Sequence, residues 1–371
     1  MKLKRFTMRE YTGRRGSLAG EMNSFAIGVD LGGTNLRIAV VDTTGKVLEK
    51  ISTDAEVARG RDYVLDEMCN RVRTVAGKFG GDGRLTGIGI GVPGIIDRQT
   101  GLVHESPNLP GWRDYPVRDE IERRLRTNVI LENDANAAAL GEKWLGAGSQ
   151  VSDMCMLTLG TGVGGGLVLD GKIWHGMTGM AGELGHTTVD PEGIKCGCGN
   201  RGCLEQYASA TAVKRMALES ISRGDAPELA KAMDRDPELS SKAIYQMAAQ
   251  GDEPARQIFR TVGQSLGIAL ANLINVFNLP MYVIGGGVAN AWDAFAPAML
   301  DEIQQRSFVY TATAPSRNAV PVEKSNDGAP PRQSTIITRA SLGSDAGLFG
   351  AARLPMITTH VQSPTPQMTQ R

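Results

Sequence analysis

Residues 183–205 read Glu-Leu-Gly-His-Thr-Thr-Val-Asp-Pro-Glu-Gly-Ile-Lys-Cys-Gly-Cys-Gly-Asn-Arg-Gly-Cys-Leu-Glu, and they hold three of the chain's five cysteines, Cys196, Cys198 and Cys203, behind His186. Thiolate and imidazole ligands in so short a span can close around one Zn²⁺ as a Cys₃His tetrahedron. Gly197, Gly199 and Gly202 let the backbone fold tightly enough for that. The plainer alternative is a buried core or a disulfide. Three thiols cannot all pair among themselves, however, and Cys196 and Cys198 are too near in sequence for an easy bridge. Zinc is therefore the expectation. With four protein ligands the ion has no open position, so it would be structural rather than catalytic. Glu183 and Glu205 bracket the cluster, and a bound metal would pin both carboxylates.

On either side of this segment the chain alternates strands and helices. Phe25 to Asp30 is a short apolar strand ending at an acid, followed by a glycine turn, a strand over 36–41, a Thr43-Thr44-Gly45 turn and a strand over 46–53. Apolar positions at helical spacing predict a helix over 61–79. Strands are expected at 85–92 and 129–132, then an alanine-rich helix over 135–145. The pattern then restarts with a strand at 154–159, a glycine turn over 161–166 and a strand at 167–169. Helices fill most of 209–276, and a buried strand at 281–284 ends at Gly285-Gly286-Gly287. Two related α/β domains facing each other are the expected architecture.

The expected domains are an N-terminal one over 25–140, joined by a C-terminal helix at about 344–354, and a C-terminal one over 141–343 carrying the zinc motif. Residues 1–24 are expected as a flexible basic leader, with Met8 and Met22 as alternative starts, 314–335 as an exposed loop and 355–371 as a disordered tail. Lys plus Arg and Asp plus Glu both number 40, so neither a nucleic-acid partner nor a strongly charged one is expected. No apolar run approaches the ~18 residues that span a membrane, so no membrane association is expected. Cys69 and Cys155 sit in apolar segments and read as reduced core residues, which with the thiolate cluster favours a cytoplasmic location.

Three glycine turns follow strand ends. Asp30-Leu31-Gly32-Gly33-Thr34-Asn35 can aim backbone N–H groups at phosphate oxygens. Thr34 and Asn35 add donors, and Asp30 can hold a hydrated Mg²⁺. Gly160 to Gly166, with Thr161 and Gly162, is similar in kind, and Gly285, Gly286 and Gly287 let the backbone approach a flat ligand. Each alone is an ordinary turn; together they indicate a nucleotide site at strand C-termini. None matches the P-loop pattern, with its Gly-Lys-Ser/Thr end. Asn133-Asp134 stands where a strand meets a helix. Asp134 can cap that helix, the commoner role for an isolated Asp there, or accept a proton from a substrate hydroxyl that attacks phosphorus. Beside the other motifs the second role is favoured.

Asp30 to Asn35, Glu132-Asn-Asp-Ala-Asn136, Leu159-Gly-Thr-Gly-Val-Gly-Gly-Gly166, Glu183-Leu-Gly-His186 and Cys196-x-Cys-Gly-x-x-Gly-Cys203-x-Glu205 resemble the signature set of the ROK sugar kinases. The resemblance covers roughly 25–311 and resumes at Leu342-Gly-Ser-Asp-Ala-Gly347. It is strongest to the bacterial glucokinase branch, including Ser106-Pro-Asn-Leu-Pro-Gly-Trp112. It implies an actin-like ATPase (ribonuclease H-like) α/β fold of two domains around a cleft, with a structural zinc site and ATP, Mg²⁺ and glucose as ligands. It assigns Asp134 as the base for the 6-hydroxyl. It assigns Asn133, Glu183, His186 and Glu205, with Gly94 and Ser106, to the sugar, His186 serving zinc and sugar together. Gly32, Gly33, Thr34, Thr161, Gly162 and Gly285 to Gly287 would line the nucleotide. Lys and Arg are absent from these loops, so neutralisation of the γ-phosphate would fall to Mg²⁺ and backbone N–H groups. The resemblance also implies a homodimer or homotetramer.

Two alternatives compete. One is a kinase for N-acetylglucosamine, N-acetylmannosamine, mannose or fructose, or one that takes phosphate from polyphosphate. The other is a sugar-sensing repressor. Only 24 residues precede Phe25, too few for a folded DNA-binding domain, so the repressor is expected less.

Overall fold

The computed structural model describes residues 24–79, 84–106, 108–313 and 334–358. From the N-terminus these form β1 (Phe25–Leu31), β2 (Asn35–Asp42), β3 (Val47–Asp54), α1 (Arg61–Phe79), β4 (Leu85–Val92), β5 (Ile95–Asp97) and β6 (Leu102–Glu105). Next come α2 (Val117–Leu125), β7 (Ile130–Asn133), α3 (Asp134–Leu145), β8 (Met154–Leu159), β9 (Val163–Leu169) and β10 (Lys172–Ile173). A helical stretch follows, with α4 (Glu205–Ala208), α5 (Ala210–Ser222), α6 (Pro227–Arg235), α7 (Ser241–Ala249) and α8 (Glu253–Phe277). The chain closes with β11 (Met281–Gly285), α9 (Trp292–Arg306), α10 (Phe308–Thr313), β12 (Ile336–Arg339) and α11 (Ala346–Thr358). No described helix is long and apolar enough to cross a membrane.

The described residues form two compact units: those of 24–145 with 176–180 and 345–358, and those of 146–175 with 181–344. In the first, a five-stranded sheet has the order β3-β2-β1-β4-β7. β1 pairs antiparallel with β2 and parallel with β4, and β4 pairs parallel with β7. Side chains alternate across the sheet. Ile27, Val29, Ile38 and Val40 join Val64, Leu65, Met68, Val72 and Val75 of α1 in one cluster. Ala39 and Val41, next to them in sequence, pack instead with Leu348 and Ala352 of α11. The period of two in the strands and of three to four in α1 together produce this layering. Leu65 is fully buried, so Leu65→Ala should cost roughly 2–5 kcal/mol of folding stability. Urea unfolding checks this, and a loss under about 1 kcal/mol would mean that the α1 layer is not core.

The second unit repeats the plan. Its sheet runs β10-β9-β8-β11-β12, again an antiparallel hairpin series continued by parallel strands. Its core is built on α8, with Phe259, Val262, Leu266, Leu270 and Ile274 packed with Tyr282, Ile284 and Phe295. The Asp252 side chain accepts from the Ala255 N–H at 2.8 Å and starts α8. Asn278, in the left-handed region at φ 47°, ends it.

Several boundaries differ from expectation. The first unit runs to Leu145 rather than 140, because α3 is one helix and its small residues Ala137 and Gly141 lie against Ala346 and Gly350 of α11. Residues 355–358, expected as tail, are the last turn of α11. Pro355 leaves the carbonyl of Ala351 without an N–H at i+4, and that carbonyl lies against Gly89 of β4, where any Cβ would overlap it. The expected turn over 161–166 is shorter, since Val163 to Gly166 pair with β8 as the start of β9. Of the expected loop, 334 and 335 lead into β12, which pairs parallel with β11. Residues 314–333, 1–23 and 359–371 lie outside the described residues.

Candidate active site

In the first unit, β1 delivers Asp30 to the turn over 32–34, which is closed by the Gly32 N–H donating to the Asn35 carbonyl at 2.8 Å. Arg37 Nη1 lies 3.6 Å from Asp30 Oδ2. The glycine turns themselves carry no cation, but β2 supplies this one beside the first of them. Burial nevertheless lifts the Asp30 pKa from 3.8 to about 6; Arg37 opposes the shift, and the Asp134 and Asp345 carboxylates add to it. Asp345 was not singled out from the sequence. It enters from the turn before α11 and is gripped by Lys50 Nζ at 2.6 and 2.7 Å. Hard carboxylate oxygens in one neighbourhood, one of them holding its proton unusually tightly, are the donor chemistry that a hydrated Mg²⁺ takes.

The sign of the pH effect follows. The folded state binds the Asp30 proton more tightly than the unfolded state does. Stability from this group is therefore lost as pH rises from about 4 through about 6. Without divalent cations, Asp30→Asn should gain stability over the parent across that window, by up to on the order of 3 kcal/mol above pH 6. Chemical unfolding at pH 4 and pH 7 measures the difference; a gap that does not widen with pH would contradict it.

β7 runs directly into α3 at Asn133-Asp134. The helix cap falls mainly to Asn133, whose Oδ1 accepts from the Ala135 and Asn136 N–H groups at 2.9 and 3.1 Å. Asp134 Oδ1 accepts from the Ala135 N–H at 2.9 Å. The cap weighed for Asp134 therefore has another principal owner. Asn133 Nδ2 donates to the Gly94 carbonyl at 3.1 Å, which uses one of its two N–H groups. Gly94 follows β4, and Ser106 follows the hairpin β5–β6, with its Oγ buried and without a hydrogen-bond partner among the described residues.

In the second unit, the ligand atoms of His186, Cys196, Cys198 and Cys203 all lie within 4.8 Å of one another. Cys198 Sγ to Cys203 Sγ and Cys196 Sγ to His186 Nδ1 are both 3.7 Å. A zinc tetrahedron with Zn–S of about 2.3 Å has edges of about 3.8 Å, so the residues fit the ion as they stand. The three cysteines are free thiols, not disulfides. Backbone bonds close the knuckle: Cys196 N–H to the Asn200 carbonyl at 2.8 Å and Leu204 N–H to the Thr187 carbonyl at 2.9 Å. Asn200 Nδ2 reaches Cys203 Sγ at 3.4 Å, and Gln206 Nε2 reaches Cys196 Sγ at 3.6 Å. These amide donors to sulfur were not anticipated, since neither residue type is among the usual zinc ligands.

His186 presents Nδ1 to the sulfurs and Nε2 to Glu183, whose Oε2 is 3.9 Å away. Burial raises the Glu183 pKa, with His186 opposing and the Glu205 carboxylate adding. Glu205 Oε2 accepts from the Val163 N–H at 2.9 Å. Gly162 makes that approach possible, because a Cβ there would overlap the carboxylate. The turn at Thr161 is tied to the N-terminus of α5 by Ala210 N–H to the Gly160 carbonyl and Thr211 Oγ1 to the Thr161 carbonyl, both 2.8 Å. A helix N-terminus beside a glycine turn favours phosphate. Gly285 ends β11 and Gly286-Gly287 open the next turn, where Asn290 Nδ2 donates to the Gly287 carbonyl at 3.1 Å.

Residues 26–356 match the model of the ROK family. A glucokinase of Halalkalibacterium halodurans is 39% identical over 330 residues, covering 88% of this chain and 94% of its own. A ROK family glucokinase from Streptomyces griseus, solved in complex with glucose and AMPPNP, is similar with a TM-score of 0.71 at 32% identity, covering 89% of this chain and 99% of that one. A xylose repressor of Caldicellulosiruptor bescii is 34% identical over 284 residues, covering 76% of this chain and 71% of the repressor.

Proposed function

The chain belongs to the ROK family, and from that premise we propose that it is an ATP-dependent glucokinase that transfers the γ-phosphoryl group to the 6-hydroxyl of glucose. The observation that carries this reading is the start of α3. There Asn133 takes the capping bonds and donates to the Gly94 carbonyl, and Asp134 is the next residue, at the head of the helix. Asp134 draws the proton from the 6-hydroxyl as that oxygen attacks phosphorus. Asn133 offers its remaining N–H to the sugar, and Ser106 Oγ, buried without a partner among the described residues, offers a further polar contact.

Glu183, His186 and Glu205 accept or donate hydrogen bonds to ring hydroxyls. The knuckle holds all three in place: Glu183 and His186 share one turn before it, and Glu205 follows Cys203. Zn²⁺ bound by His186, Cys196, Cys198 and Cys203 would supply local folding energy there and no reaction step. The turns at Gly32, Gly33, Thr34 and Asn35, at Thr161 and Gly162, and at Gly285 to Gly287 line the nucleotide with backbone N–H groups, and Asp30 holds the hydrated Mg²⁺. The glucokinase relative and the glucose- and AMPPNP-bound homologue support both substrates.

A sugar-sensing regulator is the second reading, favoured by the likeness to the xylose repressor. A panel of glucose, mannose, fructose, N-acetylglucosamine and N-acetylmannosamine against ATP, ADP and polyphosphate separates the readings. The proposal expects ADP release with ATP and glucose at the highest kcat/KM of the panel. A higher value for another sugar would replace the substrate, and binding of sugar without ADP release would replace the activity.

A further inference from the structure

Glu132 is a buried carboxylate immediately before the Asn-Asp pair, only 1% exposed on the edge strand β7. A charge so placed costs free energy unless hydrogen bonds and a counter-ion compensate it. Its bonds fall on both sides of Asp134. Glu132 Oε1 accepts from the Asn133 backbone N–H at 3.0 Å and from Asn136 Nδ2 at 3.1 Å. Glu132 Oε2 lies 3.6 Å from Arg98 Nε.

Arg98 directly follows β5, in the hairpin whose ends carry Gly94 and Ser106. The hairpin is tied to the head of α3 a second time, through Asn133 Nδ2 and the Gly94 carbonyl. One side chain therefore holds the capping residue 133, residue 136 of the first helical turn and, through Arg98, the hairpin.

We propose that Glu132 is a positioning residue for phosphoryl transfer: it sets the first turn of α3 so that Asp134 is aligned with the hydroxyl it deprotonates. The inference rests on Asp134 being the base and goes beyond it. Alignment of a general base acts on the chemical step, and displacements of about 1 Å are worth ~10²-fold in rate. Its loss lowers kcat without weakening the hold on the nucleotide. A structural role would lower the folded fraction and leave the kcat of the folded enzyme alone.

The test compares Glu132→Ala, Glu132→Gln, Arg98→Ala and Asp134→Asn as full-length, metal-loaded proteins. It measures kcat per folded active site, KM for ATP and glucose, and thermal midpoint. Glu132→Ala should lose ~10-fold or more in kcat with the KM for ATP within about twofold. Glu132→Gln should recover most of that loss, because the amide oxygen still accepts from Asn133 and Asn136. Arg98→Ala should fall between the two. Glutamine also keeps the assay informative should the alanine variant fail to fold. A kcat per folded site within about twofold of the parent in Glu132→Ala overturns the proposal. So does a Glu132→Gln enzyme as slow as Glu132→Ala, or, with alanine unfolded, one more than about tenfold slower than the parent. Asp134→Asn separates the two failures. If it is inactive while the Glu132 variants are unimpaired, only the positioning role falls; if it retains turnover, the base assignment itself falls.

Discussion

Asp134→Asn is expected to bind glucose with the parent's affinity and to lose ~10²-fold or more in kcat, the usual worth of a lost general base. The substitution is nearly isosteric. The amide oxygen can still accept from the Ala135 N–H, now at 2.9 Å, and the Asn133 cap does not depend on residue 134. The head of α3 should therefore stay folded, and the loss should fall on kcat rather than on binding. Glucose affinity by calorimetry together with steady-state turnover checks this. Turnover near the parent's would remove Asp134 from the chemistry, and lost glucose binding with an intact thermal midpoint would make it a binding residue instead.

Cys198→Ala, or prolonged chelation, should lower metal content, thermal midpoint and glucose affinity together. The four ligand atoms come from a turn and a loop. Cys196 and Cys203 are buried, and Leu184 and Leu204 anchor the flanks in the core, but Cys198 is exposed and the loop between is closed by backbone bonds and sulfurs. Without the ion, three thiolates and an imidazole have no common partner, and His186 no longer has a reason to face Glu183 with Nε2. Metal binding and local folding are then one equilibrium. Glucose affinity should fall by at least ~10-fold. Metal analysis, a melting curve and glucose titration on one preparation check it. Full glucose affinity in a metal-free sample would uncouple the knuckle from the sugar contacts.

The cysteine spacing was legible because ligand chemistry leaves few alternatives, and the structure brings His186, Cys196, Cys198 and Cys203 together. The central strands of the two five-stranded sheets were legible for a different reason, whereas β5, β6, β10 and β12 were not read as strands. The apolar runs at 25–31 and 154–159 are buried on two sides and cannot be mistaken for solvent-facing segments. What the sequence did not disclose depends on partners far along the chain. Helix α11 continues through Pro355, and the Ala351 carbonyl, which meets no N–H at residue 355, lies against Gly89 of β4, where there is no Cβ to overlap it. Val163 to Gly166 pair as strand because β8 lies beside them, although their composition reads as a turn. Asn133 rather than Asp134 takes most of the cap because the helix begins at Asp134 itself, one residue earlier than an Asp134 cap would require. Glu132 read as part of a motif, and its burial, with Arg98 as counter-ion, appears only once the hairpin β5–β6 is in place. Asp345 lay in a recognised Gly-Ser-Asp-Ala-Gly run, but its relation to Asp30 and Lys50 is tertiary.

The most direct measurement is a crystal structure of the zinc-loaded protein with glucose and a non-hydrolysable ATP analogue. The account predicts O6 of glucose within hydrogen-bond distance of the Asp134 carboxylate and pointing at the γ-phosphorus. Glucose bound with O6 remote from Asp134, or another hydroxyl in its place, would contradict it.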